Sequence, residues 1–171
     1  MDDIEIVDYD PRWPRLFEEE ARRLRAVLDP SLIVGLEHFG STAIVGLSAK
    51  PIVDILIAVR SLAAARATFV TALRTLDYAY WADNPKKDRM FFVKGMPPFG
   101  SRRSHHVHVT EPEGEMWQRL VFRDYLRAHS EEAEAYERLK KRLAAEHPTD
   151  REAYTDAKSA YVDSVMRKAA K

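Results

Sequence analysis

Apolar positions in the first half of the chain change period repeatedly, and each change marks a new element. From Pro14 to Leu28 the residues Leu16, Phe17, Ala21, Leu24 and Leu28 recur at three-to-four spacing, the repeat of a helix with one buried face. Pro30 ends it. Leu32 to Phe39 then reads as a strand, Gly40 to Lys50 as a turn-rich connection, and Ile52 to Val59 as a buried strand rich in β-branched residues. Ser61 to Leu76 returns to helical spacing, with Ser61 as its expected cap. Ahead of these elements, Ile4 to Val7 is expected to pair as an edge strand.

The middle of the chain is strand and loop. Tyr78 to Trp81, Met90 to Val93 and His106 to Thr110 read as strands, and KGMPPFGSRRSHH between the last two reads as an irregular loop because of its Pro-Pro and Gly100. From Glu115 the pattern is helical to the end. Trp117, Leu120, Val121, Tyr125 and Leu126 form one apolar stripe, and Tyr136, Leu139 and Leu143 a second. A third helix is expected to open on a capping box made by Thr149 and Glu152, and to bury Tyr154, Tyr161, Val162 and Val165. Four or five strands followed by three helices predict an α+β fold, a mixed sheet covered by helices on one side. Residues 1–171 read as one domain, with a helical subregion from about residue 112.

Composition narrows the function more than the fold. With 27 basic and 27 acidic residues there is no global charge to draw the protein onto nucleic acid, so any anion site must be local. The absence of cysteine excludes a disulfide framework, a thiolate nucleophile and cysteine-rich zinc sites. The start, MDDIEIVDYD, lacks the basic and apolar regions of a signal peptide. The most apolar run, Pro51 to Val59, is far shorter than the roughly 20 residues of a membrane span. A soluble cytoplasmic protein without membrane partners is expected.

One residue breaks the apolar pattern in a way that asks for chemistry. Asp54 lies among Ile52, Val53, Ile55, Leu56, Ile57 and Val59, and a carboxylate in such surroundings is costly unless it is paired or holds a metal. Either it pairs internally with Lys50 or Arg60, or it faces a site. Just before it, Gly40, Ser41 and Thr42 follow a strand, where backbone N–H groups and a hydroxyl can cradle phosphate; an ordinary turn has the same composition. His106 and His108 share a strand face, and either they join Asp54 in a two-His-one-carboxylate set suited to a transition metal, or they are hydrogen-bonding groups at the core edge or, when protonated, phosphate donors. Asn84 to Thr110 carries Lys86, Lys87, Arg89, Lys94, Arg102 and Arg103 against Asp88 alone. Of these, Arg89, Lys94 and Arg103 accompany strand ends and are candidate phosphate ligands, as is Lys50.

The run HFGSTAIVGLSAKPIVDILIAV, with WPRLF, RMFFVKG, HHVHV, WQRLVFRDYLRAH and AYTDAKSAYV, resembles the GrpB family of nucleotidyltransferase-like proteins over nearly the whole chain. The resemblance implies a mixed sheet in which Gly40 and Ser41 hold nucleotide phosphates and Asp54 binds magnesium. It departs from the active nucleotidyltransferase pattern at Leu56, where a second acid would share the face of Asp54. Leucine supplies no oxygen to a divalent ion.

Three functions follow as expectations. The first is a nucleotidyltransferase-like protein binding a nucleoside triphosphate, or another phosphorylated ligand, with a divalent metal. The second is a non-catalytic accessory domain, since GrpB-like domains also occur joined to dephospho-CoA kinase. The third is a metallohydrolase using Asp54, His106 and His108.

Overall fold

The computed structural model describes residues 4–171. Among the described residues five strands form one mixed sheet in the order β1-β2-β5-β4-β3. They are β1 (Ile33–Phe39), β2 (Val53–Val59), β3 (Tyr78–Tyr80), β4 (Arg89–Lys94) and β5 (His105–Thr110). β2 runs antiparallel to β1 and parallel to β5, while β4 is antiparallel to both of its neighbours. An α+β fold with a mixed sheet is therefore what the chain adopts. Only an isolated bridge, Val7 to Ala49, represents the expected edge strand at the start.

Two helices cover one face of the sheet. α1 (Trp13–Val27) and α2 (Leu62–Arg74) lay Trp13, Leu24, Ala65, Phe69 and Leu73 against Val53, Ile55, Ile57 and Val59 of β2. Each large apolar side chain buried this way contributes about 1.5–3 kcal/mol. Ser61 caps α2 as expected, accepting from the Ala64 N–H at 3.1 Å. β2 is covered on both of its faces, which is why its sequence is apolar at every position but Asp54.

The remaining helices, α3 (Arg119–Ala128), α4 (Ser130–Glu146) and α5 (Arg151–Ala169), form a second cluster. Phe122, Leu126, Tyr136, Val162 and Val165 pack there on Ile44 and Leu47 of the connection between β1 and β2. α5 is capped by Asp150, whose carboxylate accepts from the Ala153 N–H at 3.0 Å, and not by Thr149. The cap moved because the helix begins one residue later than a Thr149 cap requires. The opposite sheet face is not bare either. Met116, Trp117 and Leu120, leading into α3, pack with Phe39 and Leu56 on that face. Helices therefore meet the sheet from both sides, where one-sided cover was expected.

The first face also holds a polar network. Glu20 of α1 is fully buried and accepts from Lys94 Nζ at 2.8 and 3.1 Å and from the Tyr78 hydroxyl at 3.0 Å. Burial alone would raise the Glu20 carboxyl, but the Lys94 hydrogen bonds, with His105 and Tyr78, hold it below the usual carboxylate range. Replacing Glu20 with glutamine strips the charge that keeps Lys94 compensated. The expected loss in unfolding free energy is about 2–3 kcal/mol, read from urea melts.

Candidate functional site

The cross-strand register gathers the site. In the parallel pair β2–β5, Asp54 is opposite His106 and Leu56 is opposite His108, so strand alternation turns Asp54, His106 and His108 to the same face. Asp54 Oδ1 lies 3.3 Å from His106 Nδ1 and 3.6 Å from His108 Nε2. One ligand atom from each of the three residues falls within 4.8 Å of the others. Burial would raise the Asp54 carboxyl, but hydrogen bonds from His106 and then His108 outweigh it and keep it ionised well below the usual range. His106 is pushed down to about 4, chiefly by burial, so near neutral pH its ring is uncharged.

Aromatic rings wall the imidazoles. Phe91 has its centroid 5.0 Å from that of His106 and 4.8 Å from that of His108, and Phe39 meets His108 edge-on at 5.1 Å. The donor set suits a metal ion: one carboxylate oxygen and two imidazole nitrogens are the ligands of many zinc, iron and manganese sites. Ligands about 2.0–2.2 Å from a common ion sit about 3 Å apart, and the two contacts of Asp54 approach that spacing.

The Gly-Ser turn lies directly against this group. Gly40 has φ +73°, and a Cβ there would stand 2.7 Å from Asp54 Oδ2. Only glycine allows both the left-handed backbone and so close a carboxylate. Ser41 is partly exposed in the short 3₁₀ turn Ser41–Ala43. The N–H groups of Ala43 and Ile44 are turned back onto the carbonyls of Gly40 and Ser41 at 3.1 and 3.2 Å, so they are not offered to an anion. Thr42 is buried, with its hydroxyl 2.8 Å from His38 Nε2. It braces the turn instead of facing outward.

The basic candidates separate. Arg103 reaches the site, its Nη1 3.3 Å from His106 Nε2. Lys50 lies at the entrance to β2, half-buried, with Nζ 5.0 Å over the Tyr154 ring. Lys94 points to the opposite face and belongs to Glu20. Arg89 stands opposite Thr110, at the far end of β5 from His106, and pairs with Asp88 at 2.9 Å and Glu115 at 3.5 Å. The structure therefore brings neither of them beside Asp54, because a strand end does not specify which end, or which face, carries the site.

The second acid is also settled by position. Leu56 is completely buried between Phe39 and Met116. Glu37, the acid opposite it on β1, accepts from Arg123 Nη1 at 2.8 Å. Arg123 also holds Asp124 at 2.9 Å, and its Nη1 donates to the His38 carbonyl at 2.9 Å. Arg127, one turn later, donates to the Ala43 carbonyl at 2.9 Å. These two residues of α3 clasp the carbonyls flanking the Gly-Ser turn. Their four-residue spacing in FRDYLRAH is the signal that places both on one helix face.

His38 gives the site a pH response. Stacked on Phe17 at 4.8 Å, it is pushed down to about 4, chiefly by burial. Its unfolded pKa is near 6.5, so its contribution is fully present above pH 6.5 and is lost as pH falls toward 4. The expected slope from this one proton reaches about 1.4 kcal/mol per pH unit. Denaturant melts at pH 7.5, 5.5 and 4.5 should show a shallower decline for His38→Asn than for wild type.

A family model described as GrpB protein matches residues 3–168. A UPF0157 protein of Pseudomonas aeruginosa is 47% identical over 169 residues, covering 98% of this chain and 68% of that protein. The UPF0157 protein YqkA of Bacillus subtilis is 39% identical over 97% of this chain, which spans only 47% of its length. The crystal structure of conserved protein GrpB from Enterococcus faecalis superposes with a TM-score of 0.85 at 32% identity, covering 96% of each chain.

Proposed function

The chain belongs to the GrpB family, and we propose that it binds a phosphorylated ligand, a nucleoside triphosphate first among them, together with one divalent metal ion held by Asp54, His106 and His108. The observation that carries this reading is the meeting of these three side chains on one sheet face beside the Gly40–Ser41 turn. The donors favour manganese, zinc or iron over magnesium, which prefers oxygen ligands throughout. A bound ion would polarise a phosphoryl oxygen as a Lewis acid. Asp54 would supply the anionic ligand and the two histidines the neutral ones.

Nucleotidyl transfer through two metal ions is not the form of chemistry this site favours, since Leu56 is buried and Glu37 is engaged by Arg123. The imidazole donors give specific support to a second reading, hydrolysis of the phosphorylated ligand at a single ion. Calorimetry of ATP with Mn²⁺ on wild type and Asp54→Asn tests the common part. Metal-dependent binding that the substitution leaves intact would sink it. ³¹P spectra of the products then separate pyrophosphate release with label on an acceptor from simple hydrolysis. The absence of any turnover points to a binding domain.

A further inference from the structure

We infer that Trp81 is the stacking platform for a planar heteroaromatic ring, a nucleobase, of the ligand whose phosphates the metal group takes. The class of ligand rests on the function proposed above; the place of the ring comes from the sheet.

Cross-strand register carries the site to Trp81. The Trp81 N–H donates to the Phe91 carbonyl at 3.0 Å, which extends the antiparallel ladder of β3 and β4 by one residue and sets Trp81 opposite Phe91. Phe91 is in turn opposite His108. Residues directly opposite each other in adjacent strands share a face, so Trp81 lies on the face that carries Asp54, His106 and His108. The rings follow the same row: the centroids of Trp81 and Phe91 are 6.2 Å apart, and those of Phe91 and His108 4.8 Å. A line of aromatic side chains thus runs from a candidate metal ligand to the edge of the sheet.

The cover of this face stops short of that edge. Met116, Trp117 and Leu120 pack with Phe39 and Leu56, over β1 and β2, whereas Trp81 is 48% exposed. A single exposed apolar side chain is ordinary. Trp81 differs in its place, since it is the one exposed aromatic residue among the described residues and it ends the row of rings that begins at His108. It meets Phe91 at an interplanar angle of 79°, edge against face, so the two rings do not cover each other and an indole face is left for a third. Ala79 and Val93 stand opposite each other on the same face, and their short side chains leave room for a flat group beside the indole.

The separation suits one molecule that reaches both places. Trp81 is two strands from His108, about 10 Å at the usual spacing between strands. A nucleoside triphosphate carries its phosphates and its ring on opposite ends of a sugar, so the metal group can hold the former while Trp81 holds the latter. Stacking does not read the edge of a base, because every base has a π-face. The platform therefore takes purines and pyrimidines alike and favours nucleotides over bare phosphates.

Calorimetry in the presence of Mn²⁺ tests this. Trp81→Ala should weaken ATP, GTP and CTP about tenfold or more each, the loss of one base–aromatic stack, and leave inorganic triphosphate within about twofold. ATP should also quench the indole emission of wild type, and Trp81→Phe, which keeps a π-face, should bind ATP without that quench. If the melting temperature shows that Trp81→Ala is unfolded, Trp81→Phe decides: ATP binding with the quench undiminished overturns the platform. So does unchanged ATP affinity in Trp81→Ala, or an equal loss for ATP and triphosphate, which would make Trp81 a support of the metal group. A change from dimer to monomer in sedimentation of Trp81→Ala would assign the indole to a second copy of the chain and overturn it as well. The two readings fail separately. ATP binding that needs Trp81 but not Asp54 keeps the platform and removes the metal centre, binding that needs Asp54 but not Trp81 does the reverse, and no ATP binding removes both.

Discussion

Replacing Asp54 with asparagine should lower the affinity for Mn²⁺ or Zn²⁺ by two to three orders of magnitude while leaving the protein folded. Among the three candidate ligands Asp54 alone is anionic, and structural zinc sites gain about 10–16 kcal/mol from roughly four ligands. One ligand is then worth about 3–4 kcal/mol, or about two to three decades in affinity. The fold tolerates the change because the amide oxygen still accepts a hydrogen bond from one imidazole, and Asp54 retains 27% of its side-chain exposure. Equilibrium dialysis with a competing chelator measures the affinity, and circular dichroism checks the fold. An unchanged affinity would remove Asp54 from the ligand set and with it the proposed single-metal centre.

Restoring the acid at the second position should damage the protein more than any other single change considered. Leu56→Asp places a carboxylate where the native side chain is fully buried among Phe39 and Met116, with Trp117 and Leu120 packed around them. The lost apolar burial is about 2 kcal/mol, and an unpaired buried charge adds about 3 kcal/mol. The sum, about 5 kcal/mol, is a third or more of the stability of an ordinary domain. Urea melts should show it directly, with Leu56→Met as the volume-matched control losing under about 1.5 kcal/mol. A variant as stable as wild type that also bound a second metal ion would reverse the view of Leu56 as a packing residue. Leucine here is thus not a vacant ligand position. It is the point where the helical cover of residues 116–120 seats on the sheet.

Much of the fold was legible because its signals are local. The helical spacing of Leu16, Phe17, Ala21 and Leu24, the β-branched run of β2 and the Ser61 cap each depend on a few neighbouring residues. The cover of the second sheet face was not legible in this way, since Trp117 and Leu120 read simply as a helix stripe. What they cover is Leu56 and Phe39, about sixty to eighty residues earlier in the chain. The shift of the α5 cap from Thr149 to Asp150 is a smaller case. Both residue types can cap, and the helix takes Asp150.

For the site, the chemical inventory can be read along the chain: a lone acid in an apolar strand, a His-x-His strand, a glycine before a serine and a cluster of basic residues. It also placed His106 and His108 on one face, because strand alternation is a local rule. The tertiary structure decided which of these meet. The parallel pairing of β2 with β5 sets Asp54 opposite His106, while strand parity sends Lys94 through the sheet to Glu20 and strand direction carries Arg89 to the far end. Periodicity is a property of neighbours along the chain, whereas strand order, direction and register depend on residues far apart in it.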